Sequence, residues 1–249
     1  MIYWLVQVDG ADPHLARGRP PPGLLSAAEA EKFQRFTSEK RRRDWLLGRW
    51  TAKQLLRRVM EDEGRAPLPL HQIIIENNAS GAPVVAGAPL AEGARYTLSL
   101  SHSHRHAFCA VVAWAPWPLG VDLERIGPRL ERFAGDFFAP EEMALLHRAP
   151  PAMVDTLITA IWSAKEAALK ALQLGLRVDT RAVICLLRPL TVVPEAWAPF
   201  AIAWDTQKLA CPAPPLQGWW CVRDGFALAL VSRRQKEGRE KLCLMSISS

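Results

Sequence analysis

The stretch "AFCAVVAW", residues 107–114, has no polar side at all. A half-buried strand alternates apolar with polar residues, whereas one without polar positions is buried on both faces and belongs inside a sheet. The preceding "YTLSLSHSHRH" does alternate, so the two read as paired strands around a turn near residues 103–105. Any fold for this chain must place that pair centrally. Past Pro116 comes "GVDLE", in which Asp122 and Glu124, two apart in an extended segment, project from one face. Two like charges emerging side by side from an apolar run repel one another unless a cation intervenes.

With 249 residues, 49% of them hydrophobic, the chain has ample material for a core without staples. Its five cysteines (Cys109, Cys185, Cys211, Cys221, Cys243) are odd in number, widely spaced and free of any C-x-x-C pair. Neither a disulfide framework nor a zinc knuckle is indicated, and a cytoplasmic location is expected. "MIYWLVQVDG" lacks a basic leader region and reads as a first strand. No apolar stretch approaches the roughly 20 residues of a membrane span, so no membrane partner is expected. The formal net charge of +6 is unevenly placed, because residues 32–58 hold ten Lys/Arg against only Glu39 and Asp44. That segment predicts an anionic ligand or partner.

Ser26 followed by Glu29 is a capping box that predicts a short helix through about Phe36. "SEKRRRDWLLGRWTAKQLLRRVMEDEG" predicts a second helix ended by Gly64, with Leu47, Trp50, Leu55 and Val59 inward and Arg49, Lys53 and Arg57 as one basic row. "HQIIIENNASGAPVV" reads as strand, turn and strand. Past Pro116 the pattern restarts with a strand at Gly120, a helix over about 140–147, and a long helix reaching Gly175. "AVICLL", "FAIAW" and a hairpin, "GWWCV", "RDG", "FALALV", follow, and the Pro-rich "CPAPP" reads as a loop. Each half thus carries a long helix followed by paired strands. No residue-level repeat is found, so duplication is inferred from this pattern of elements alone.

In "IWSAKEAALKAL", Glu166 and Lys170 share a helical face with Trp162 one turn earlier. Alone, such a pair is an ordinary surface contact, and carboxylates at a strand end are ordinarily solvated. In combination, two carboxylates on a strand and a third on a helix make a hard, oxygen-rich site of the kind that holds Mg²⁺, while a basic row elsewhere holds phosphates. Metal, anion clamp and nearby base form a complete logic for phosphoryl-type transfer.

"GVDLE" followed by "WSAKEAALK" resembles the paired motifs of the 4'-phosphopantetheinyl transferases, in particular the long, monomeric Sfp-type members of the holo-carrier-protein synthase superfamily. "LSLSHS", "SGAP" and "LLGRWTAKQLL" are similar to further motifs of that family, so the resemblance runs over about residues 26–175. It implies an enzyme that moves the phosphopantetheine arm of coenzyme A onto a serine of an apo acyl or peptidyl carrier protein, releasing 3',5'-ADP. It implies an α+β fold of two similar halves related by pseudo-twofold symmetry, with the active site in the cleft between them. The halves are expected at 1–116, on the 3'-phosphate and adenine side of coenzyme A, and 117–249, with the metal and catalytic motifs. Two halves in one chain make a monomer sufficient.

Carried over residue by residue, Asp122, Glu124 and Glu166 resemble the Mg²⁺ ligands, with Glu166 also the base for the carrier serine. Lys165 and Lys170 resemble the lysines of the third motif that meet coenzyme A, and His102, with Ser101 beside it, resembles the phosphate-binding histidine. Lys32 is expected on the 3'-phosphate, and Arg43 and Arg49 on the adenine side, with Arg42 replacing Arg43 if the register shifts by one. A rival metal site at His102, His104 and His106 requires one unbroken strand through all three. Two positions depart from the family pattern: Ala82 stands where Lys is frequent, removing a cation from the pyrophosphate side, and His104 stands where Gly is frequent. The competing reading is a non-catalytic basic binding protein of the same fold, for a carrier or nucleic acid. The full set of carboxylates and lysines favours the enzyme, and no nucleic-acid-binding motif is present.

Overall fold

The structure, a computed structural model, describes residues 1–86, 95–130, 132–205, 207–209, 214–234 and 244–246. In chain order the elements are β1 (Ile2–Val8), α1 (Pro13–Ala16), α2 (Ala27–Gln34), α3 (Glu39–Asp62), β2 (Ile74–Asn77), β3 (Pro83–Ala86), β4 (Thr97–Ser103) and β5 (His106–Val112). There follow β6 (Leu119–Arg125), α4 (Phe133–Phe137), α5 (Pro140–Arg148), α6 (Val154–Ala171), β7 (Val183–Leu186), β8 (Ala198–Trp204), β9 (Leu216–Arg223), β10 (Phe226–Arg233) and β11 (Leu244–Ser246). They form two compact α+β units that divide between Trp117 and Pro118. The terminal strand β11, expected with the second half, instead pairs in parallel with β1 and belongs to unit 1. Cys211, Cys243 and most of the "CPAPP" loop lie outside the described residues, and no helix among the described residues is long and apolar enough to cross a membrane.

In unit 1 the sheet order is β11-β1-β5-β4-β3-β2, so the wholly apolar β5 is flanked on both sides as its composition demands. The β4–β5 hairpin turns at His104 and Arg105, whose φ values of 45° and 65° give the two-residue left-handed turn that suits paired strands. That turn rules out a single strand through His102, His104 and His106, and with it the rival metal site. Helix α3 lays Leu55, Leu56 and Val59 against Leu5, Leu98, Cys109 and Val111 of the sheet. The basic row expected on its outer face is corrected in part. Arg49 and Lys53 are buried, and both face the α2 residue Glu29: Lys53 Nζ lies 2.5 Å from its Oε2 and Arg49 Nε 3.5 Å from its Oε1. Glu29 also accepts from the Ser26 backbone N–H (3.0 Å) in the expected capping box.

Unit 2 has the sheet order β6-β10-β9-β8-β7, the same succession as β1-β5-β4-β3-β2 with each number raised by five. Its last hairpin turns at Asp224 and Gly225, again both at positive φ (50° and 77°). Helix α6 covers β6 and β10 and ends at Ala171, four residues short of the expected Gly175. It presents Ala164, Ala167, Ala168 and Ala171 inward, a face of small residues that lets the helix settle close to the sheet.

The units repeat at the residue level too, which overturns the expectation of no such repeat. "WTAKQLLRR" of α3, from Trp50, matches "WSAKEAALK" of α6, from Trp162, and in each the lysine is fully buried against a glutamate. That glutamate, Glu29 or Glu142, is the third residue of a short preceding helix, and it reaches back to the backbone N–H at the helix start. Strand registers extend the match. Val8 pairs with His106 and Arg125 with Phe226, each partner being the first residue after its hairpin turn, so Leu5 corresponds to Asp122 and Gln7 to Glu124.

Gly120 fixes how near α6 comes to β6: a Cβ there would lie 1.8 Å from the Ala167 carbonyl oxygen and 2.6 Å from the Ala171 nitrogen. Backbone cannot yield as a side-chain tip does. Gly120→Ala is therefore expected to lower the unfolding free energy by about 3 kcal/mol, whereas Gly127→Ala, with nothing within 4 Å of its Cβ, leaves it almost unchanged. Urea denaturation of the two variants checks this, and equal midpoints would contradict it.

Candidate active site

Because Gly120 and the alanines of α6 bring helix and strand together, Lys170 reaches Asp122: Nζ donates to Oδ1 at 2.6 Å. Asp122 is 2% exposed and Lys170 half-buried, so water screens this pair poorly. Lys170 also lies 3.7 Å from Glu166 Oε2, one turn back on the same helix. Glu124, two residues beyond Asp122, accepts from Arg129 Nη2 at 3.1 Å, and Arg129 lies over the Phe133 ring. Trp162, on the face of Glu166, packs edge-on against Phe133 and Phe137, with centroids 5.2 and 5.3 Å away. The structure therefore brings together Asp122, Glu124, Glu166 and Lys170, as the sequence predicts, and adds Arg129, which the sequence reading passed over.

Crowding shows in the acid–base balance. Burial pushes Glu166 up to about 7, helped by Asp122 and then Glu124 and opposed by Lys170. Glu124 is also raised, first by burial and then by Asp122. For Lys170, burial works against the charge, but the surrounding carboxylates, Asp122 foremost, outweigh it and raise its pKa. A divalent cation suits this donor set, since it would relieve the mutual repulsion of three hard oxygen ligands. Among the described residues, however, no three acidic, histidine or cysteine side chains already converge on one point, and the ammonium of Lys170 stands between Asp122 and Glu166.

Lys165, expected to meet coenzyme A, does not. Its side chain is wholly buried and Nζ donates to Glu142 Oε2 (2.6 Å) and to the Val183 carbonyl, leaving it no path to a ligand.

Unit 1 has its own site, a cavity of about 620 Å³ walled by Lys32, Lys40, Arg41, Arg49 and His102, with the rings of Phe36 and Trp45. Such a mixture of cations and aromatic faces suits a phosphorylated nucleoside. Lys32 donates to Asn77 Oδ1 at 3.4 Å, and His102 Nδ1 lies 3.8 Å from Asp44 Oδ2. Three expectations are corrected here. Arg43 does not line the cavity but pairs with Glu39 at 2.5 Å; Arg42 stacks on Phe33 and donates to the Phe33 and Phe36 carbonyls, so neither register holds. Arg49 lines the wall yet is 4% exposed and committed to Glu29 and the Trp45 ring. Ser101 is buried on the face of β4 opposite to Leu100 and His102, which line the cavity. Lys40 and Arg41, in the first turn of α3 after the Ser38 cap, line the cavity instead of Arg43.

A carboxyl that holds its proton to about pH 7 in the fold, but to the ordinary carboxylate range when unfolded, favours the native state at low pH. That contribution is complete below the unfolded pKa and is lost as pH rises through 7. Glu166→Gln cannot ionise, so in chelator the wild type is expected to lose on the order of 2 kcal/mol relative to this variant between pH 5 and pH 8. Chemical denaturation across that range measures it, and parallel pH profiles would contradict it.

A family model described as the 4'-phosphopantetheinyl transferase superfamily matches residues 118–212. The chain is 27% identical over 222 residues to the 4'-phosphopantetheinyl transferase HetI of Nostoc sp., spanning 87% of this chain and 88% of that protein. It is 33% identical over 152 residues to the 4'-phosphopantetheinyl transferase psf-1 of Bacillus pumilus, spanning 61% of this chain and 58% of that protein. A holo-[acyl-carrier-protein] synthase of Lactococcus lactis is 33% identical over 89 residues, 36% of this chain and 73% of that protein. With these relatives and the lysine-bridged carboxylates of α6 and β6, the chain belongs to the 4'-phosphopantetheinyl transferase superfamily.

Proposed function

We propose that the Asp122–Glu124–Glu166–Lys170 cluster is where this transferase performs its chemistry and that the cavity of unit 1 binds the nucleotide end of coenzyme A. As a member of its family, the chain moves the 4'-phosphopantetheine arm of coenzyme A to a serine of an apo carrier protein. The serine oxygen forms a bond to the phosphorus bearing the arm, the bond from that phosphorus to 3',5'-ADP breaks, and the serine proton must go to a base. Glu166 is that base in our reading. With no metal bound, this carboxylate is raised to about 7, a value matched to proton transfer near neutral pH, and Lys170, one turn along α6, holds it in place. Asp122, Glu124 and Glu166 would hold Mg²⁺, which when bound supplies neutralisation of charge on the pyrophosphate. Lys170 is poised to pass from Asp122 to a phosphate oxygen, since both present it with negative oxygen.

In unit 1, Lys32, Lys40 and Arg41 supply the positive charge for the 3'-phosphate, and Phe36 and Trp45 the faces for adenine. We further place the chain in the cytosol as a monomer, its described cysteines Cys109, Cys185 and Cys221 being unpaired and buried. The observation that carries the reading is the raised, lysine-braced Glu166. Incubation with coenzyme A, Mg²⁺ and a panel of apo-carriers, read by intact mass, tests it. Transfer is expected to at least one carrier, and Lys32→Ala is expected to raise KM about tenfold for coenzyme A but little for its dephospho analogue. No transfer to any carrier, or equal losses with both donors, would contradict it.

A further inference from the structure

The lysine that precedes Glu166 has no role in the chemistry described so far, yet it is the residue most deeply committed within α6. Lys165 is 0% exposed, as is Glu142, and its amine meets Glu142 and the backbone carbonyl of Val183 on β7. Glu142 in turn is saturated: Oε2 accepts from the Ala139 N–H at 2.8 Å and Oε1 from the Cys185 N–H at 2.7 Å. One carboxylate therefore ties together the start of α5, the middle of α6 and strand β7.

Unit 1 repeats this lock without the chemistry. Lys53 is equally buried, pairs with Glu29 and donates to the Leu24 carbonyl at 2.8 Å. The positions matching the three carboxylates carry no acid: Gln54 stands for Glu166, Gln7 for Glu124 and Leu5 for Asp122, while Arg58 stands for Lys170. A lysine kept where the carboxylates are gone serves the helix rather than a ligand.

We infer that Lys165, through Glu142, is a positioning residue: the pair fixes the depth and rotation of α6 so that Glu166 and Lys170, the next residue and the fifth along the helix, stand against Asp122. Lys165 touches neither coenzyme A nor metal. A buried pair broken from one side leaves an uncompensated charge, which the helix relieves by shifting. Displacement of a reacting group by about 1 Å is enough to cost roughly 10²-fold in rate. The inference rests on the transfer reading above for its kinetic arm alone.

The test compares Lys165→Met, Glu142→Gln, their double variant and the milder Glu142→Asp, each assayed in single turnover well below its own unfolding midpoint. Glu142→Gln, which removes no cation, is expected to lower the turnover about 10²-fold while the KM for coenzyme A stays within about threefold of wild type. The double variant is expected to be no worse than either single one, as for residues acting as one unit. Should the buried variants not fold, Glu142→Asp, one methylene shorter with its charge kept, is expected to show the same loss of turnover at an unchanged KM. A crystal structure of Glu142→Asp gives a readout independent of activity: the Lys170–Asp122 hydrogen bond is expected to be broken. The inference is overturned if Lys165→Met raises the KM for coenzyme A while Glu142→Gln does not. Folded variants that turn over like the wild type, or an unmoved α6, overturn it as well. A wild type that transfers to no carrier defeats the transfer reading instead, and the crystal structure still decides this one.

Discussion

Helix α6 rests on strand β6 at backbone distance, and the candidate active site follows from that contact. Only glycine fits at position 120 beneath the Ala167 carbonyl, and the alanine face of α6 supplies the matching flatness. The consequence is electrostatic. Three carboxylates and one ammonium are packed into a poorly solvated seam, where interactions between charges are several times stronger than in water. The raised Glu166 and the strengthened charge of Lys170 are two faces of this crowding.

The two units show what such a seam costs and what it needs. They share strand order, hairpin turns and a buried lysine–glutamate lock, so the scaffold is common to both. Unit 1 has Tyr3 at the place of Gly120, Leu55 at that of Ala167 and Leu56 at that of Ala168, with neutral side chains at the matching acidic positions. Its helix packs through large apolar side chains, and its charge is gathered instead in a cavity at the start of α3. Close approach with ionisable groups and broad apolar packing are alternative uses of one architecture.

Most of this architecture was legible in the sequence because its signals are local. The Ser26–Glu29 box, the Asp-Gly turn, the apolar run of β5 and the pairing of Glu166 with Lys170 each depend on neighbours within a few residues. Burial of a charge was not legible in the same way. Lys53 is expected in a basic row and Lys165 on coenzyme A, because their partners, Glu29 and Glu142, lie more than twenty positions away and no local pattern announces that either lysine is buried. Arg43 was misplaced for a related reason: four consecutive cations at the start of a helix point in four directions, and packing decides which reach the cavity. The repeat of Trp-Thr-Ala-Lys in Trp-Ser-Ala-Lys was present throughout and is visible once the two long helices are aligned on their buried lysines.

On the proposed reading, Asp122, Glu124 and Glu166 would hold a divalent cation once bound coenzyme A draws Lys170 away from Asp122. Binding of Mn²⁺ in place of Mg²⁺, followed by electron paramagnetic resonance with coenzyme A present, tests it without relying on transfer. The account predicts one strongly held ion per chain in the wild type and an affinity at least about tenfold weaker in Asp122→Asn. Equal Mn²⁺ affinity in the two proteins would contradict it.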